Sequence, residues 1–258
     1  MTGGAPREAA RARLARLVGA LGLEPSPPSP CPYLPGRDSR LVALRPSRLT
    51  PRLYGLFLDL NFRRLQELVY RPQCDGCREC RQLRVDTRLF RPTRAQRRCA
   101  ARNADVVAEV GRPLPTDEKH ALYARYLEAR HDGAMSGSWE EFSDFLHRAP
   151  EMTREVVFRA AGRLLGAGIF DVARDALSAV YFYFDPDPQL AARSPGTLNV
   201  LWLVEEARRR SCRWLYLGYY VAGSPSMAYK AGFGPHEVLG DDGSFRPGAP
   251  RSGGRIRG

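Results

Sequence analysis

The stretch Leu177-Ser178-Ala179-Val180-Tyr181-Phe182-Tyr183-Phe184-Asp185-Pro186, followed by Gly196-Thr197-Leu198-Asn199-Val200-Leu201-Trp202, decides the fold. Its first half is an apolar run of branched and aromatic residues, of the length and type of a central strand. It stops at a carboxylate and a proline. The second half opens a helix over Val200-Arg210, with Leu201, Val204 and Ala207 on one face and an arginine triplet in the last turn, where the helix dipole favours cations. Trp214-Tyr219 returns as a strand, and Val156-Phe158 and Arg163-Phe170 read as strands upstream. Strands, a helix and a returning strand describe an α+β fold, a mixed sheet covered by helices. In such sheets ligands bind at strand ends, which makes Asp185 and Asn199 candidates for chemistry, although a carboxylate before a proline is also an ordinary turn residue.

Working outward, Ser138-Trp139-Glu140-Glu141 is a capping box with Phe142, Phe145 and Leu146 facing inward, and Thr116 is placed to cap a helix carrying Leu122, Tyr123, Tyr126 and Leu127. Pro113-Leu114-Pro115-Thr116-Asp117 reads as a boundary between a cysteine-bearing region, 31–112, and a second domain, 113–240. Within the first, Thr50 and Pro51 open a helix with Leu53, Tyr54, Leu56, Phe57 and Leu60, and Leu83-Val85 reads as a strand. Residues 1–30 read as a docking helix, with Leu14, Leu17, Val18 and Leu21 on one face, and a proline-rich connector. Residues 241–258 read as a disordered Gly/Arg/Pro tail.

Composition narrows the partners. Forty basic against 28 acidic residues give a net charge of +12, and only Lys119 and Lys230 are lysines. An arginine-rich surplus points to a polyanion such as RNA, with a merely solvated basic surface as the alternative. No run is long and apolar enough for a membrane span, and the N-terminus lacks a secretory signal, so the expected location is cytoplasmic, with reduced cysteines. Cys74-x-x-Cys77-x-x-Cys80 has metal-ligand spacing, and Cys31 or Cys99 could complete four thiolates around zinc or an iron-sulfur cluster; the alternative is a loop of free thiols. Tyr70-Arg71 before the cysteines and the stripe Arg91, Arg94, Arg97, Arg98, Arg102 after them could grip phosphate and stack on an unpaired base, where a single arginine would be an ordinary helix edge. No Walker, GxSxG or HExxH motif is present, and no GxGxxG follows a strand.

Several motifs in order carry a resemblance. Cys31-Pro32-Tyr33-Leu34-Pro35-Gly36-Arg37, Phe62-Arg63-Arg64, Tyr70-Arg71-Pro72, Arg94-x-Gln96-Arg97-Arg98, Tyr181 to Pro186, Gly196 to Trp202, Leu217-Gly218-Tyr219-Tyr220 and Met227-x-Tyr229-Lys230 together resemble the bacterial leucyl-tRNA protein transferases (aspartate/glutamate leucyltransferases), relatives of the eukaryotic arginyl-tRNA protein transferases of the N-degron pathway. The resemblance implies an acetyltransferase-like (GNAT) C-terminal domain. It also implies transfer of an amino acid, leucine in the first instance, from its tRNA ester to the N-terminal amine of a protein beginning with Asp or Glu, which marks that protein for degradation. The related arginyl enzymes bind a metal or cluster through N-terminal cysteines, which Cys31, Cys74, Cys77 and Cys80 match in part; the chemistry itself requires no cofactor. Asp185 is the candidate acid/base or amine-orienting group. Arg37, Tyr70, Arg71, Arg94, Gln96, Arg97, Arg98, Asn199, Tyr219 and Lys230 are the candidates for binding tRNA or acceptor. Leu65 and Gln66 stand where Ser-Gly is usual, Ala95 replaces a serine, Pro195 a leucine, and Ser224 and Ser226 stand where Cys and Lys are common. An arginyl transferase, and an inactive cysteine-liganded RNA-binding protein, are the competing readings.

Overall fold

The computed structural model describes residues 4–130 and 137–249. Helix α1 (Gly4–Ala20) leads through a ribbon of β1 (Ser29–Pro30) and β2 (Asp38–Ser39) into β3 (Leu41–Leu44), α2 (Pro51–Asp59) and the hairpin β4 (Arg63–Leu65) and β5 (Leu68–Pro72). Strands β3, β5 and β4 make a small antiparallel sheet. Then come β6 (Arg81–Asp86), α3 (Arg94–Arg102), β7 (Val107–Gly111), α4 (Asp117–Arg130), α5 (Trp139–Phe142) and the strands β8 (Thr153–Ala160), β9 (Arg163–Val172) and β10 (Ala176–Phe184). Short α6 (Pro188–Ala191) and long α7 (Pro195–Arg209) cross over to β11 (Trp214–Tyr220), and α8 (Pro225–Ala228), β12 (His236–Leu239) and β13 (Phe245–Pro247) close the described chain.

The main sheet has eight strands in the order β13-β12-β6-β11-β10-β9-β8-β7, antiparallel except for the β10–β11 pair. This is the expected α+β arrangement of a mixed sheet with helices on both faces. Helices α3 and α7 cover one face over Leu83, Val156, Leu177 and Leu215. The other face is shared by α2 with the small sheet, over Trp214 and Tyr216, and by α4 and α5 over Ala167, Ile169 and Tyr183. Local signals behave as read: Thr50 accepts a hydrogen bond from the Leu53 amide at 3.2 Å with Pro51 at the first position of α2, and Ser138 accepts from the Glu141 amide at 3.1 Å.

Three expectations are corrected. The boundary at 112/113 does not separate two sheets, because β6 lies between β11 and β12 in the main sheet and β7 forms its far edge. The reason is burial: Leu83 and Val85 are fully enclosed and need a neighbour on each side. Phe245–Pro247, placed in the disordered tail, pairs with β12, and the Phe245 ring meets Tyr216 and the Arg84 guanidinium; residues 250–258 lie outside the described chain. On α1 only Val18 is buried and Leu14 half-buried, while Leu17 and Leu21 stay exposed. Arg7 docks the helix instead, with ion pairs to Asp59 at 2.9 Å and Asp175 at 2.6 Å.

Two features of the sheet shape the site. Strands β10 and β11 pair only from Ala176/Trp214 to Ser178/Tyr216 and then part, β10 running on to Phe184 and β11 to Tyr220. Each carries a register shift where they separate, between Ala179 and Tyr181 and between Tyr216 and Gly218; an extra residue bends a strand and sharpens its twist. The β4–β5 hairpin is fastened beneath by Arg64, whose Nε and Nη2 meet Asp171 Oδ2 and Oδ1 at 2.6 Å each. Thr153 Oγ1 accepts from Arg64 at 2.9 Å and donates to Asp171 at 2.7 Å, completing a buried network.

Candidate active site

Because Arg64 faces the main sheet at β8 and β9, its neighbour Arg63 projects into the parting of β10 and β11. Arg63 Nη2 donates to the Ala179 carbonyl at 2.8 Å, on the strand edge that β11 leaves unpaired. Gly218 makes room for it: φ there is +80°, and a Cβ would lie 2.7 Å from Arg63 Cζ and overlap the guanidinium. The Tyr219 ring lies 5.9 Å away. Arg63 Nη1 is buried without a hydrogen-bond partner.

Lys230 belongs to the same neighbourhood. It is buried, and its Nζ donates to the Tyr219 carbonyl at 2.6 Å and lies 3.1 Å from Met227 Sδ. Burial, and then the positive field of Arg63, pull its pKa down from 10.5 to about 7. Lys230 is thus enclosed rather than the surface ammonium expected. Tyr219 is structural at its hydroxyl, which donates to Asn61 O at 3.0 Å, with Tyr70 O at 3.3 Å. Burial raises its pKa well above 10, so it stays a donor.

Other candidates sort differently. Arg71 stacks over Phe62 at 4.9 Å, half-buried. Arg37 reaches Cys77 Sγ at 3.5 Å. Gln96 is buried: its side-chain oxygen accepts from the Thr93 amide at 2.8 Å, completing the capping box of α3, and its Nε2 donates to the Gly232 carbonyl at 3.0 Å, tying the helix to the loop after Lys230. Arg94, Arg97 and Arg98 are exposed on α3. Arg94, Arg98 and Arg102 follow at four-residue intervals along one edge, and Arg102 approaches Ser194 Oγ at 3.4 Å, so the edge leads to the start of α7.

Asp185 is buried with both oxygens in use. Oδ2 accepts from Arg163 at 2.8 Å, with Arg125 at 3.6 Å, and Oδ1 accepts from the Asp187 amide at 3.1 Å. This engagement fixes the turn after β10. On one side of it lies an open cleft of about 660 Å³, lined by Glu118, Arg125, Arg163 and Asp187. On the other is a narrow apolar cleft between Phe158, Leu165, Phe182, Leu190 and Leu198, at the start of α7. Asn199 is buried one residue further on, its Oδ1 unpartnered and only 2.8 Å from where a Cβ on Gly168 would stand.

The cysteines gather without closing. The Cys77 amide donates to Cys74 O at 3.4 Å, and the Cys80 thiol is pushed up to about 12 by burial and then by Cys31, Cys74 and Cys77, which places the four sulfurs in one neighbourhood. Among the described residues no three His, Cys, Asp or Glu side chains converge as a metal-holding group. As arranged, the four do not fit an ion, and no chemical step is routed through one. At pH 8 Cys80 should alkylate more than about 100-fold more slowly than an unstructured cysteine, since only the thiolate reacts. Peptide mapping after iodoacetamide tests this, and labelling at the free-peptide rate would contradict it.

Arg63 and Lys230 meet at the parted strands, where an incoming chain breaks no sheet hydrogen bond, and the arginine edge leads to the same helix that borders the apolar cleft. That layout sets an exposed basic edge beside a buried pair of basic side chains. Residues 29–98 match the family model described as arginine-tRNA-protein transferase, N terminus, and residues 118–240 match its C terminus. An aspartate/glutamate leucyltransferase of Gluconobacter oxydans is 40% identical over 220 residues, covering 83% of this chain and 90% of the relative. One from Halorhodospira halophila is 43% identical over 215 residues, covering 81% and 90%. The chain belongs to the arginine-tRNA-protein transferase family; it is an aminoacyltransferase whose substrates are a charged tRNA and a protein. No helix among the described residues is long and apolar enough to cross a membrane.

The sequence reading quoted Arg63 only inside a motif and passed over Arg163, the partner of Asp185. The signal for Arg63 lay in Gly218, a glycine amid large strand residues, which marks a close approach.

Proposed function

We propose that the protein transfers leucine from leucyl-tRNA to the N-terminal amine of proteins beginning with Asp or Glu, and that the product is marked for regulated proteolysis. The observation that carries this reading is the set of relatives at about 40% identity bearing that activity in their names.

The ester is already activated, so the protein's work is alignment and proton removal, and no cofactor is called for. Lys230, as the neutral amine, takes one proton from the acceptor's ammonium, whose ordinary pKa near ~8 is close to its own. The freed nitrogen attacks the ester carbonyl; as the C–N bond forms and the C–O bond to the ribose breaks, the second proton passes from nitrogen to the departing ribose oxygen. Lys230 then releases its proton to water.

Competition between leucyl- and arginyl-tRNA for one Asp-starting peptide tests the donor. Leucine should be the preferred donor, as in the names of the relatives; a better arginyl donor would overturn that part of the reading. The basic edge has its own test. Arg94→Ala and Arg98→Ala should each weaken tRNA binding by about 1–3 kcal/mol and lower the salt dependence by roughly one counterion, measured by filter binding at several salt concentrations. Unchanged affinity in both would make the edge an ordinary solvated surface.

A further inference from the structure

Arg63 and Lys230 differ from most enclosed cations of the fold; Arg71, half-buried over Phe62, is another without a carboxylate. Arg7, Arg64, Arg84 and Lys119, also buried or half-buried, each pair with a carboxylate: Asp59, Asp171, Glu237 and Glu155. Arg63 has the Ala179 and Val180 carbonyls, at 2.8 and 3.4 Å, and the Tyr219 ring; Lys230 has the Tyr219 carbonyl and Met227. Among the described residues neither has a carboxylate ion-pair partner. A guanidinium held with no anion, and with a buried donor nitrogen left over, is an arrangement that costs free energy until an anion arrives.

The anion must come from a substrate. The donor tRNA brings phosphates, but the exposed edge of α3 serves those, and its ester end is uncharged at the reacting carbon. The acceptor brings a carboxylate close to its reacting amine. Resting on the acceptor specificity proposed above, we propose that Arg63 is the specificity-determining residue that receives the side-chain carboxylate of the acceptor's first residue at the parting of β10 and β11. The guanidinium is held from behind by Ala179 O and laid against Gly218, so it presents a fixed donor rather than a mobile arm. An acidic side chain placed on Arg63 brings the α-amine attached to it toward Lys230, which belongs to the same cluster. An Asn or Gln side chain fills the space but leaves the guanidinium unneutralised, which is how a buried charge rejects an isostere.

The test compares kcat/KM for peptides starting with Asp and with Asn in the full-length protein, its Arg63→Gln variant and its Arg63→Lys variant. The unaltered protein should prefer Asp by about 100-fold or more. Arg63→Gln should bring the two peptides within about threefold of each other while leucyl-tRNA affinity stays put, and Arg63→Lys should restore part of the preference. A merely structural Arg63 would lower both peptides alike, and an undiminished Asp preference in a folded Arg63→Gln protein would overturn the assignment. Should that variant fail to fold, hydrogen exchange on the unaltered protein decides: an Asp-starting peptide should protect amides of 179–182 and 217–220 and an Asn-starting one should not, and protection by both or by neither counts against Arg63. No leucine transfer to any peptide would overturn the proposed function, and this assignment with it; transfer that prefers Asp but ignores Arg63 would overturn the assignment alone.

Discussion

Lys230→Met should lower the rate of transfer by about 10²–10⁴-fold, the range over which one positioned proton acceptor acts, with tRNA affinity unchanged. The expectation rests on the amine's burial beside Arg63, which pulls its pKa to about 7. A neutral Lys230 is required, so kcat/KM in the unaltered protein should carry a rising limb through about 7, and in the variant that limb should be lost, leaving only the rise set by the acceptor amine itself at about 8. Lys230→Arg keeps the charge and cannot accept a proton; it should be as slow as Lys230→Met, whereas an anion-binding role would leave it active. Stability carries the same signature. Between about 7 and 10.5 the unfolded chain holds a proton that the folded one has lost, so unfolding binds protons and stability rises with pH across that window. Denaturant midpoints should climb from pH 7 to 10 in the unaltered protein and climb less in Lys230→Met.

Asp171→Asn should destabilise the fold by about 3–5 kcal/mol, the cost of leaving one member of a buried ion pair uncompensated. Both partners are almost wholly enclosed, with side-chain exposures of 3% for Arg64 and 0% for Asp171, so water cannot take over. Thr153 compounds the loss, since it donates to Asp171 Oδ1 and accepts from Arg64 Nη2. Guanidinium denaturation followed by circular dichroism measures the change. The double variant Arg64→Met/Asp171→Leu should recover much of it, because an apolar pair of similar volume leaves no stranded charge. A loss below about 1 kcal/mol for Asp171→Asn would mean that the hairpin carrying Arg63 is held by its apolar contacts at Phe62 and Val69 instead.

The elements were legible where local chemistry sets them. The apolar run into Phe184, the Thr50-Pro51 start and the Ser138 cap all depend on neighbours in sequence, and each forms as read. The site was legible in part. Lys230, Tyr219 and the α3 arginines were named, but their roles follow from burial and long-range placement. Gln96 looked like one more polar group on a basic stripe until its amide was found closing the capping box. Asp185 looked free because Arg163 and Arg125, which engage it, lie more than twenty residues away in the chain. The parting of β10 and β11 comes from two register shifts on strands that meet only through a crossover helix, and no short window of sequence carries that. Of the departures from the family pattern, Pro195 takes the first position of α7, where a missing N–H is harmless, and Gln66 adopts a left-handed φ of +53° in the β4–β5 turn, where glycine is easier.

The central claim is that an unmodified acidic N-terminus receives leucine as an amide. The direct measurement incubates the purified protein with leucyl-tRNA and an Asp-starting peptide, alongside the same peptide with its N-terminus acetylated, and sequences the products by tandem mass spectrometry. The expected result is one added leucine, in peptide linkage at the α-amine, on the free peptide alone. No added leucine, or equal modification of the acetylated peptide, would contradict it.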